Sequence, residues 1–142
     1  MTVRFLVKSD DRDKKESAML GLLTAFAVAD RNKLKSIAIV VPVMGGFEST
    51  LNKVVGRLKI KGISVSGLIN QDNVDFNGTK VTATQPSKIS SLGHVDVLVV
   101  YASTLDDLEA IDSLEQIGNI VYVPWLASEQ IWWADKWNPV LV

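Results

Sequence analysis

The chain has 142 residues, 47% of them hydrophobic and 22% charged, with a formal net charge of -1. That length suits a single domain over residues 1–142, with one core that buries roughly two thirds of the surface of the unfolded chain. A near-neutral charge gives no global field for nucleic acid or an anionic membrane; the lack of cysteine excludes disulfides and thiolate chemistry, and a single histidine leaves little for metal cages or histidine-based triads.

In chain order, Val3 to Val7 predicts the first strand. The helix after it is expected to start at Asp13, because Asp13-Lys14-Lys15-Glu16 has the spacing of a capping box. Met1 to Lys8 lacks the basic, apolar and small-residue segments of a signal peptide, so a cytoplasmic location is expected. The apolar run Ala18 to Ala29 is 12 residues long. A bilayer span needs about 20, so no membrane segment is expected and the run predicts a helix sandwiched within the core or half covered by a partner subunit.

Ser36 to Val41 predicts the second strand, ended by Pro42. The turn Val43-Met44-Gly45-Gly46 leads into a helix with Leu51, Val54, Val55 and Leu58 on one face, closed by Gly62. Ile63 to Ile69 predicts a third strand. Asn77-Gly78 is a hairpin turn, pairing Asn73 to Phe76 with Thr79 to Thr84. Pro86 opens a short helix to Leu92, and Val95 to Val100 is apolar enough to be buried on both faces. A helix from about Leu105 carries Leu108, Ile111, Leu114 and Ile117. Asn119 to Val123 is the last strand expected, and Leu126 to Trp137 a terminal helix.

Alternating strands and helices imply an α/β fold, a three-layer Rossmann-like or RecA-like sheet, mostly parallel, with helices on both faces. Candidate sites then collect at the strand exits: Lys8 to Asp11, Met44 to Gly46, Gln85 to Lys88, Tyr101 to Thr104, and Pro124-Trp125. The Gly45-Gly46 turn before a helix suits a phosphate, or is simply a tight turn. It is neither a Walker A loop nor a dinucleotide fingerprint. Asp10, Asp11 and Asp13 suit Mg²⁺, but Arg12, Lys14 and Lys15 neutralise the cluster, so a solvated turn capped by Asp13 is favoured and no metal is expected. A two-component receiver domain shares the acidic first exit, yet it requires a lysine where this chain has Val123 before Pro124. Ser103 and Thr104 have no base in any recognisable relation to them, and Thr104 with Asp107 makes a capping box. His94, at the entry of the buried strand, is expected to be structural or exposed. Trp125, Trp132, Trp133 and Trp137 fall on one broad helical face, favouring docking on the sheet and leaving open a partner contact anchored by tryptophan.

The order of these pieces resembles the first RecA-like domain of superfamily 2 helicases. Ile37 to Pro42 is similar to motif Ia, Thr82 to Ile89 resembles motif Ib, Val95 to Val100 takes the place of the strand leading to motif II, and Asn119 to Pro124 that of the motif III strand. Where the family has its Gly-Lys-Thr loop, this chain has Lys8 to Lys15, and where it has the Mg²⁺-binding Asp-Glu pair, this chain has Tyr101-Ala102. Losing the loop backbone, its lysine and the metal carboxylates together leaves no route to hydrolysis, so the resemblance implies a degenerate domain without ATPase activity and without a cofactor. It also implies a retained nucleic-acid backbone surface at Pro42, Gly45, Gln85, Ser87 and Lys88.

The leading expectation is therefore a non-enzymatic binding or assembly module that contacts a protein partner, itself or, through a local patch, nucleic acid. The alternative is a small-ligand or phosphate-binding Rossmann-like protein using Gly45, Gly46, Ser103 and Thr104, including an enzyme of unrecognised type.

Overall fold

The computed structural model describes residues 2–8, 14–41, 74–76, 78–101, 105–124 and 127–142. Its elements in chain order are β1 (Val3–Leu6), α1 (Lys14–Arg31), β2 (Ser36–Val40), β3 (Val74–Phe76), β4 (Thr79–Thr84), a 3₁₀ helix (Pro86–Leu92), β5 (Val95–Tyr101), α2 (Leu105–Asp112), β6 (Ile117–Val123), α3 (Ala127–Trp137) and β7 (Val140–Leu141). The strands form one sheet in the order β3-β4-β2-β5-β6-β1-β7. All neighbours are parallel except β3 and β4, which pair antiparallel from Val74 with Val81 to Phe76 with Thr79. Gly78 in their connecting turn has φ 86°, a left-handed backbone that glycine adopts without a side-chain penalty. This is the α/β, Rossmann-like and RecA-like architecture expected from the alternation of elements.

The central strands are apolar on both faces over most of their length because alternate residues enter two different cores. Ile37, Ile39, Val97, Val99, Tyr101, Val121 and Val123 point to one face, where Ala18, Leu22, Ala25 and Ala29 of α1 cover them. Ala38, Val40, Leu98, Val100, Ile120 and Tyr122 point to the other, under Ile89 of the 3₁₀ helix, Leu108 and Ile111 of α2, and Trp133 of α3.

Of the two placements expected for the helix over Ala18 to Ala29, sandwiched within the core or half covered by a partner, the first is not seen: the helix is buried along one face. Leu23, on its outer side, is 40% exposed. Alanines and Gly21 line the inner face because α1 lies very close to the sheet, and a Cβ at Gly21 would collide with Cγ2 of Val123. Among the described residues, no helix is long and apolar enough to cross a membrane.

Several boundaries differ from expectation. The helix from Leu105 stops at Asp112, so Leu114 lies beyond it and Ile117 opens β6, two residues before the strand expected there. Leu114 and Ile117 still join the same core as Leu108 and Ile111, which is why a helical period ran on through them. β7, the short edge strand after Pro139, was not anticipated: two residues hold too little alternation to be read. The expected helix after Gly46 and the strand Ile63 to Ile69 lie outside the described residues.

α1 ends in a Schellman turn: Lys33 has φ 56°, and the N–H of Leu34 donates to the carbonyl of Ala29 at 2.8 Å. A lysine there carries the left-handed penalty that glycine lacks. Lys33→Gly is accordingly expected to raise stability by about 1 kcal/mol, read as a rise in the denaturant midpoint at unchanged slope.

Candidate functional site

The chain leaves β1 through α1 over one face of the sheet and leaves β6 through α3 over the other, and β1 and β6 are neighbours. Their carboxyl ends therefore form a topological switch point, where open parallel sheets place ligands. The described residues around it are Val7, Lys8, Val123, Pro124 and the first turns of α1, with Tyr101 at the adjacent exit of β5.

Tyr101 stands where the helicase resemblance places a metal-binding carboxylate. It is fully buried, and its hydroxyl donates to the carbonyl of Ala18 at 2.7 Å, tying α1 to the end of β5. Burial pushes its pKa well above the usual tyrosine value, so the phenol stays protonated. One strand over and on the opposite face, Tyr122 donates to Glu129 Oε2 at 3.0 Å. Its pKa is also raised, first by burial and then by the charge of Glu129 and the hydrogen bond to it. Neither phenol is tuned to give up a proton near neutral pH.

Ser17 is 1% exposed, and its hydroxyl finds no hydrogen-bond partner among the described residues. It lies in α1, one turn before Gly21, the residue that meets Val123 and Tyr101. A buried hydroxyl without a partner carries its desolvation cost uncompensated. Ser17→Ala is expected to stabilise the free protein by about 1 kcal/mol in thermal or chemical denaturation.

Of the residues assigned from sequence, Gln85, Ser87 and Lys88 come together at the exit of β4. Gln85 is extended, with φ -107° and ψ 156°, and its carbonyl accepts the N–H of Lys88 at 3.0 Å as the 3₁₀ helix begins. Ser87 lies within that helix, and Lys88 is exposed. Pro42, Gly45, Gly46, Ser103, Thr104 and Trp125 lie outside the described residues.

The remaining tryptophans turn toward the sheet. Trp133 is fully buried and packs edge-on against Tyr122, with ring centroids 5.2 Å apart. Its indole N–H donates to Asp112 Oδ2 at 3.2 Å, and that of Trp137 donates to the same oxygen at 2.8 Å. Arg4 completes the cluster: its Nε donates to Asp112 Oδ1 at 3.2 Å, and its guanidinium lies 3.4 Å from the centre of the Trp137 ring. Trp132 is half-buried, with Lys136 Nζ 4.9 Å from its ring centre. Sequence reading missed Arg4 and Asp112 altogether, since 108 residues separate them and neither belongs to a motif.

The amino-terminal edge of the sheet holds a second polar cluster. Asp96 Oδ2 accepts the N–H groups of Lys35 and Ser36 and the hydroxyl of Ser36, while Asp96 Oδ1 lies 2.6 Å from Nε2 of the exposed His94. Burial alone would raise the Asp96 pKa, but the Lys35 amide, His94 and Ser36 together outweigh it and hold the group below the usual range. This cluster binds the start of β2 to the start of β5, and it accounts for His94 as a structural, exposed residue. An open groove lined by Thr2, His94, Asp112, Glu115 and Gly118 lies at the same edge, away from the strand exits.

No protein-family model matches the chain, and no curated protein matches its sequence. Its structure is similar to the crystal structure of the N-terminal domain of the DNA packaging ATPase from bacteriophage phi29. The TM-score is 0.50 at 11% identity, over 89% of this chain and 74% of that one. At that identity the likeness shows a shared α/β fold alone.

Proposed function

We propose that this protein is a non-enzymatic binding or assembly module: a RecA-like domain, similar to a helicase domain without ATPase activity, that contacts a protein partner, itself or nucleic acid. The observation that carries this reading is Tyr101. At the strand exit where phosphoryl transfer requires a metal-holding carboxylate, the chain spends the side chain on packing α1 against the sheet. The fold shared with the N-terminal domain of a DNA packaging ATPase is in keeping with a RecA-like sheet. The exposed Lys88, close to Gln85 at the exit of β4, offers a charge suited to a phosphate backbone.

A second reading, a small-ligand or phosphate-binding Rossmann-like protein, is favoured by the unpartnered hydroxyl of Ser17 near the switch point.

A thermal-shift screen against ATP, ADP and short single-stranded oligonucleotides, with and without Mg²⁺, separates the two. A ligand at a hundred times its dissociation constant adds about 2.7 kcal/mol to the native state, or about 5–10 °C for a chain of this size. Stabilisation by oligonucleotides alone, fading as salt rises, or no shift with any of these ligands, is the expected outcome. A Mg²⁺-dependent shift with ATP would overturn the proposal, and a nucleotide shift abolished by Ser17→Ala would establish the second reading.

A further inference from the structure

We draw no further inference here: the strongest candidate, the exposed apolar edge strand β7 with Val140 and Leu141, is only two residues long, and nothing in the structure shows what covers it.

Discussion

Asp112→Ala is expected to lower the unfolding free energy by about 3–5 kcal/mol, because it strips the partner from a buried charge and from two indole N–H groups at once. The side chains of Arg4 and Asp112 are 11% and 3% exposed, so water does little to replace what is lost. Three elements meet at this carboxylate: β1 through Arg4, α2 through Asp112 itself, and α3 through Trp133 and Trp137. Asp112→Asn keeps an acceptor of the same shape and should cost less. Replacing both charged partners with apolar residues, Arg4→Met with Asp112→Leu, should recover the part of the loss that comes from the stranded Arg4 charge but not the part that comes from the indole N–H groups of Trp133 and Trp137, which still lack their acceptor. Urea denaturation of the three variants checks the ordering. Equal midpoints for Asp112→Ala and the wild-type protein would show that the cluster contributes nothing to stability.

Gly21→Ala is the second large effect, and its sign is the informative part. In an exposed helix interior, replacing glycine with alanine stabilises by about 1 kcal/mol. Here the added methyl runs into Val123 Cγ2, on a β-branched side chain in a central strand that has one stiff torsion with which to move away, and it also closes on the Tyr101 hydroxyl, 3.4 Å off. Overpacking of this kind costs typically 1–3 kcal/mol, and α1 can yield only by lifting away from the strands it covers. Net destabilisation of about 1–2 kcal/mol is expected in calorimetry, together with weaker protection of the Tyr101 hydroxyl contact. A rise in melting temperature would mean that α1 sits further from β6 than the structure places it.

The sheet was legible because burial on both faces leaves an unmistakable mark: Val97 to Val100 and Ile37 to Val41 are continuous apolar runs, and Asn77-Gly78 announces the β3–β4 hairpin. The terminal helix was legible from its tryptophans, but their purpose was not. Sequence spacing placed Trp133 and Trp137 on one helical face, yet the acceptor they share sits on another helix and is fixed by a residue of the first strand. No local pattern encodes such a meeting. The end of α2 was misjudged for a related reason, since Leu114 and Ile117 feed the same core as the helix and so extend its apparent period. At the strand exits, the presence of Tyr101 where the helicase resemblance implies a carboxylate could be read directly. That the phenol is turned inward to hold α1, and that Ser17 lies buried nearby without a partner among the described residues, depends on how closely helix and sheet approach, which the order of residues alone does not state.

The place of β1 in the sheet has a bearing on how the chain acquires its structure. β1 lies between β6 and β7, with Val3 opposite Asn119 and Phe5 opposite Val140, so this strand finds both its neighbours far along the chain. Closing that separation gives high contact order and the slow, nucleus-limited folding that accompanies it. Until β6 emerges, Phe5 and Leu6 have no ladder to join, and the nascent chain presents an apolar segment to whatever holdase or chaperone it meets. In the finished domain the same arrangement makes β1 and β7 mutually dependent, so that loosening Val140 and Leu141 would free one edge of β1 at Phe5 and Leu6.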